Sequence, residues 1–153
     1  MILRAFTDGA SRGNPGESGI GVVVKNEEGE TLLSLSGYIG RTTNNIAEYI
    51  ALLTLLERMR SMSCSRLIVH SDSELMIRQL NGEYRVKNGE LKTYHRKALK
   101  LRTSLQCDVE FRYVSREMNR DADRLANMGI DSGEPLPGVA RTGQQNLFSQ
   151  LKH

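Results

Sequence analysis

FTDGASRGNPG (residues 6–16) is an apolar run that ends on an aspartate and gives way to Gly9, Gly13 and Gly16. A glycine-rich turn after a strand commonly cradles phosphate with its backbone N–H groups, and a carboxylate is unwelcome there. Asp8 is therefore either a turn former of no chemical interest or a sign that a cation sits beside it. The familiar phosphate loops fail on context. No Gly-Lys-Ser/Thr follows the glycines, and Gly19-Ile20-Gly21 lacks the third glycine of a dinucleotide fingerprint and leads into a strand pattern, where that motif needs a helix.

Outward from this stretch, short apolar runs alternate with amphipathic ones. Residues 2–7 read as a buried strand. GIGVVVKN (19–26) is β-branched and stops at EEGE, and TLLSLSGYIG (31–40) alternates Leu33 and Leu35 with Ser34 and Ser36, so three strands in hairpin sequence are predicted. In TTNNIAEYIALLTLLERMRSM, Thr43 or Asn44 caps a helix whose Ile46, Tyr49, Ile50, Leu53 and Leu56 recur at helical spacing. RLIVHSD (66–72) is a fourth strand, SELMIRQL a short helix stopped at Asn81-Gly82, and 88–105 another helix. VEFRYV (109–114) is a fifth strand, and NRDADRLANMG a last helix ending at Gly129. The order β-β-β-α-β-α-α-β-α predicts an α/β fold, a mixed sheet with helices on its faces. From Ile130 onward, two prolines and three glycines without periodicity predict an extended or disordered tail, which divides the chain into a domain (1–129) and a C-terminal tail (130–153).

A chain of 153 residues, 39% hydrophobic and 25% charged, suffices for one domain with a real core and holds no apolar run long enough to span a bilayer. MILRAFTD is too short and too weakly basic for a secretory signal, so a cytoplasmic protein without a membrane partner is expected. Cys64 and Cys107 lack C-x-x-C spacing and read as free thiols of a reducing compartment, with a bridge between them as the alternative. A net charge of +3 leans toward a polyanionic partner.

Four acids stand where acids are costly. Asp8 and Asp72 end the first and fourth strand patterns, where ligand sites of open α/β sheets gather. Glu48 shares a helical stripe with Leu52, Leu55 and Met59, and Asp123 lies beside Ala122, Leu125 and Ala126. Acids at the edges of several apolar elements suggest a shared cation, and Mg²⁺ is held by few carboxylates plus substrate phosphate oxygens.

TDGASRGNPG, TTNNIAEY, SDSELMIRQL and REMNRDADRLA resemble, in order and spacing, the four signature stretches of the type 1 ribonuclease H family, over about residues 2 to 129. The resemblance implies a ribonuclease H-like fold, a five-stranded mixed sheet in 3-2-1-4-5 order flanked by helices. It assigns metal binding and catalysis to Asp8, Glu48, Asp72 and Asp123. Implied with them are two Mg²⁺ ions, Mn²⁺ being a possible substitute, and hydrolysis of the RNA strand of RNA/DNA hybrids to 5′-phosphate and 3′-hydroxyl ends. The glycines after Asp8 are then read as letting the backbone approach a nucleic-acid strand.

The same resemblance assigns recognition of the RNA 2′-hydroxyl to Glu48 and the backbone at Gly9, Ala10 and Ser11, with Ser73 among the substrate contacts. It assigns minor-groove contacts to Asn14, Asn44 and Asn45 and a DNA-phosphate pocket to Thr43; helix capping and turn chemistry are the plainer readings of these residues. The chain departs from better-studied members in two places. Only GEYRVKN (82–88) stands where they carry a basic, tryptophan-bearing handle, and the chain has no Trp. Arg85, Lys87, Lys92, Arg96 and Lys97 are the partial substitutes expected, with binding weaker and more salt-sensitive. SREMN replaces a loop that often holds a histidine, leaving Arg116 or solvent to that role. His95 and His153 read as surface residues; His70 alternates onto the same face as Asp72 and could reach the site, with packing or solvent exposure the plainer reading.

In the tail, Gln144, Leu147 and Phe148 have the form of the peptide that bacterial sliding clamps bind; folding back onto the domain is the competing reading. A monomer is expected. Two further functions stay open beside hybrid hydrolysis: cleavage of double-stranded RNA or RNA–DNA junctions by the same fold, and a non-catalytic hybrid-binding module.

Overall fold

A computed structural model describes residues 1–136. The clamp-type motif at Gln144, Leu147 and Phe148, and His153, lie outside the described residues. Strands β1 (Ile2–Arg12), β2 (Gly16–Lys25) and β3 (Thr31–Thr42) form an antiparallel meander, and β4 (Arg66–Ser71) and β5 (Asp108–Tyr113) extend it in parallel, giving the order β3-β2-β1-β4-β5. Helices α1 (Asn44–Met59), α2 (Glu74–Leu80), α3 (Gly89–Ser104) and α4 (Arg120–Ser132) complete the fold, with one 3-10 turn (Arg116–Asn119) ahead of α4. Among the described residues no helix is long and apolar enough to cross a membrane.

The expected first strand is too short. Asp8 does not end it: the antiparallel ladder with β2 continues through Asp8↔Gly21 to Arg12↔Glu17. What stops near Asp8 is the parallel pairing with β4, at Thr7↔Ser71. Beyond that pair β1 stays on β2 while the chain after Ser71 turns away, so Asp8 and Asp72 flank the opening. Gly9 looks like a loop residue in the sequence but sits inside β1, while Gly19 and Gly21 lie in β2 as expected.

Those glycines face helices. A Cβ on Gly9 would lie 2.2 Å from the Ala47 carbonyl carbon and 2.4 Å from the Glu48 nitrogen, so α1 rests directly on β1. Gly19 and Gly21 pair with Ala10 and Asp8, the neighbours of Gly9, and so lie on the other face of the sheet. There a Cβ on Gly21 would lie 2.1 Å from the Ala122 oxygen, one on Gly19 2.3 Å from the Ala126 oxygen, and one on Gly129 2.4 Å from the Gly37 oxygen. Helix α4 is thereby seated on β2 and β3 backbone to backbone.

Helix α1 is buried along nearly its whole length, between the sheet and α3, because apolar residues occupy most of its circumference. The Thr43 hydroxyl caps its first turn from Ile46 N–H. The last helix, expected to end at Gly129, continues to Ser132 and is capped by Gly133 at φ +68°. Beyond it Glu134 accepts a hydrogen bond from Tyr38 N–H, and Leu136 is buried against Gly37. The predicted tail therefore begins as part of the domain: residues 130–132 complete α4, and Ile130 and Leu136 cover glycine-lined sheet surface that the Gly/Pro-rich composition gives no hint of, while Asp131, Ser132, Glu134 and Pro135 are exposed.

Candidate active site

Three elements converge where β1 and β4 part. Asp8 projects from β1, Glu48 from the first turns of α1, and Asp72 from the residue after β4; one carboxylate oxygen of each lies within 4.8 Å of the other two. Glu48 is fixed by its backbone neighbourhood: Gly9 N–H donates to Glu48 Oε1 at 2.9 Å, a bond that needs the close approach a glycine permits. Asp123, in the first turn of α4, stands outside this group of three but close enough to help raise the pKa of Asp8.

Asp8 and Glu48 are almost fully buried, 5% and 8% exposed. Burial first, then repulsion from Glu48, Asp72 and Asp123, raises the pKa of Asp8 far above the ordinary carboxylate range. Glu48 is raised by the same burial and by Asp72, against the opposing pull of the Gly9 N–H and of Arg116. Asp72 is raised by burial, with Asn119 and Arg116 opposing. A cluster of hard oxygen donors that cannot all ionise unaided suits a divalent cation, which supplies the missing positive charge. The chemistry of the donor set fits Mg²⁺ or Mn²⁺.

Known proteins resemble this chain in sequence and in fold. Residues 6–129 match a family model described as reverse transcriptase-like. A Halobacterium salinarum ribonuclease HI is 36% identical over 129 residues, 84% of this chain and 64% of that protein. LC11-RNase H1, solved in complex with an RNA/DNA hybrid, superposes with a TM-score of 0.82 at 41% identity, covering 86% of this chain and 98% of that one. The chain belongs to the type 1 ribonuclease H family. It also matches a bifunctional protein of Mycobacterium tuberculosis, 37% identical over 126 residues, but spans only 34% of that protein's length.

Around the ribonuclease H carboxylates the remaining expected site residues fall into two groups. Ser11, Asn14 and Asn44 form one network: Ser11 N–H donates to Asn44 Oδ1 at 2.8 Å, and Asn44 N–H donates to Asn14 Oδ1 at 3.0 Å. The network ties the β1–β2 hairpin to the start of α1, and Asn14, Asn44 and Asn45 are exposed. Thr43 and Ser73 act as helix caps, Ser73 Oγ accepting from Met76 N–H. Gly9 has a structural reason of its own: its bare Cα makes room for α1.

Asn119 went unread in the sequence. It is 1% exposed; its Nδ2 donates to the Thr7 carbonyl at 2.9 Å, and its amide also favours the ionised form of Asp72. Its signal was available as an amide immediately before a helix start. His70 is packing: buried, bonded to the Ala5 carbonyl at 3.0 Å and stacked on Phe6. His95 is not the simple surface residue expected, since its Nε2 meets the Gln79 carbonyl at 3.1 Å and its ring lies edge-on to Tyr49. Arg85, Lys87, Lys92 and Arg96 are exposed.

Proposed function

We propose that this chain hydrolyses the RNA strand of RNA/DNA hybrids, with Asp8, Glu48, Asp72 and Asp123 holding the divalent cations that the reaction requires. The meeting of three carboxylates within 4.8 Å, two of them nearly buried, is the observation that carries this reading. Bound Mg²⁺ supplies a water activated at neutral pH and charge neutralisation at the phosphate, with 5′-phosphate and 3′-hydroxyl ends as the products. The chain's own part is placement. Gly9 N–H orients Glu48, Asn119 and Arg116 keep Asp72 toward its ionised form, and the backbone of α4 on Gly21 sets Asp123 against Asp8.

To Glu48 and the backbone at Gly9, Ala10 and Ser11 we assign recognition of the ribose 2′-hydroxyl, a donor and acceptor at once, which distinguishes RNA from DNA. The exposed amides of Asn14, Asn44 and Asn45 are suited to a minor groove, Thr43 and Ser73 to phosphate oxygens, and Arg85, Lys87, Lys92 and Arg96 to the duplex backbone. LC11-RNase H1, bound to a hybrid in its solved structure, supports the choice of substrate. We further propose a cytoplasmic monomer, which Gln144, Leu147 and Phe148 would bring to a sliding clamp. Loss of clamp retention in a pull-down after Leu147→Ala/Phe148→Ala tests that contact, and equal retention refutes it.

The deciding experiment compares matched RNA/DNA, RNA/RNA and DNA/DNA duplexes with Mg²⁺, Mn²⁺ or chelator, for the wild type and Asp72→Asn. Metal-dependent cleavage of the hybrid alone, lost in Asp72→Asn, is expected. Cleavage of RNA/RNA at a comparable rate would replace hybrid specificity with the double-stranded RNA reading. Hybrid binding without cleavage under every condition would leave a binding module.

A further inference from the structure

At the edge of the molecule away from the carboxylates, a groove of about 480 Å³ runs between the end of α1 and the end of α3, and both cysteines line it. Cys64 lies two residues before β4 and Cys107 one residue before β5. The parallel register pairs Arg66 with Asp108, and Asp108 N–H donates to the Ser65 carbonyl, so the two thiols enter the sheet side by side. Both line the same groove, and the Cys107 thiol is close enough to Cys64 to help raise its pKa. Both are free and half-buried, packed against the edge of the core but open to the groove. They are the only cysteines in the chain.

From this juxtaposition we infer that Cys64 and Cys107 are an oxidation site, a dithiol that closes to an intramolecular disulfide when a small-molecule disulfide enters the groove. Neighbouring strands run about 4.8 Å apart, and the two cysteines stand just ahead of neighbouring strands, a spacing of the order a disulfide spans. One protein thiolate attacks the incoming disulfide, forming a mixed disulfide and releasing one small thiolate. The second protein thiolate then attacks the mixed bond and releases the other. Two protein S–H bonds and one S–S bond are consumed, one S–S bond is formed, and the two protons leave on the two small thiols. Arg60 and the hydroxyls of Ser61, Ser63 and Ser104 line the approach, a polar setting that suits an anionic, peptide-like disulfide such as oxidised glutathione.

The bond would tie the starts of β4 and β5 together and close a loop holding α2 and α3, which restricts the unfolded chain far more than the folded one. The pair lies one strand length from Asp72, six residues or about 20 Å, so closure leaves the carboxylates in place. Burial, then the nearby Cys107 thiol, pushes the Cys64 thiol up to about 12, which makes closure slow at neutral pH and faster as pH rises.

The test is incubation of the full chain with oxidised glutathione, followed by free-thiol titration, intact mass and a thermal melt. The expected result is loss of both thiols, a monomer lighter by two hydrogen atoms, and a melting temperature higher by roughly 5–10 °C that reverts on reduction. Cys64→Ser should show no such shift. Stable glutathione adducts on either cysteine, covalent dimers, or unchanged thiols each overturn the inference. Peptide mapping of the oxidised wild-type protein decides the matter even where Cys64→Ser fails to fold: a Cys64–Cys107 cross-linked peptide upholds it, and its absence overturns it.

Discussion

Gly21→Ala puts one methyl group between the sheet and the helix that carries Asp123. The added Cβ would stand 2.1 Å from the Ala122 oxygen, 2.7 Å from the Ala126 nitrogen and 2.8 Å from the Leu125 Cβ. All three belong to backbone or to the stub of a side chain, so no rotamer change relieves the clash. Ordinary contact begins at 3.4 Å, and α4 must therefore shift outward by about 1.3 Å at its first turn, where Asp123 faces Asp8. Overpacking of this kind costs about 1–3 kcal/mol, read as a melting temperature lower by roughly 3–10 °C. Displacing a catalytic group by about 1 Å costs on the order of 100-fold in rate. Gly29→Ala is the control: it too alters a glycine, at φ +82°, but nothing lies within 4 Å of the new methyl group. It should lose about 1–2 kcal/mol of stability through backbone strain and no activity. Melts and hybrid-cleavage rates at saturating Mg²⁺ separate the two variants. Wild-type stability and cleavage in Gly21→Ala would refute the argument that this contact sets the position of Asp123.

Glu48→Gln should raise the melting temperature in chelator at pH 8, and by less at pH 5. The wild-type carboxyl is raised above its ordinary value, so its folded-state advantage is full in acid and lost as pH climbs; a less stable variant at pH 8 would contradict this. For the same reason, added Mg²⁺ should stabilise the wild type more at pH 8 than at pH 5, as thermal melts will read. Asn119→Ala removes the buried bond to the Thr7 carbonyl and the support of Asp72, and should cost about 1–3 kcal/mol in denaturant unfolding together with a fall in cleavage rate. Tyr49→Phe leaves Gln79 Oε1 without its 2.7 Å donor in the core, an expected loss of about 1 kcal/mol with the cleavage rate unchanged. Replacing Arg85 and Lys87 by alanine should lower the salt dependence of hybrid binding by up to about two phosphate contacts, measured as the slope of log K against log salt.

Element order was legible because apolar periodicity survives in each segment, from the alternation in β3 to the stripe of α1, whereas the sheet order came with the family resemblance. The carboxylates were legible as misfits, acids on apolar elements. What escaped was set by contacts between distant segments. Gly9 carries no side-chain pattern, so the second half of β1 read as a loop; the helices pressing on Gly9, Gly19 and Gly21, more than thirty residues away in sequence, are the reason for their composition. The packing of Leu136 depends on Gly37 in the same way. Asn119 looks like any helix-initiating amide until Thr7 and Asp72 are brought beside it.

The candidate site draws one acid from each of four segments, and the last is seated only when α4 closes over β2 and β3. During synthesis, then, a nascent chain that has laid down β1 through β5 already holds three of its acids but has nothing to press Asp123 home. Cleavage competence should switch on late, once the residues through α4 have left the ribosome, and chains stalled before that point should be inert toward the RNA around them.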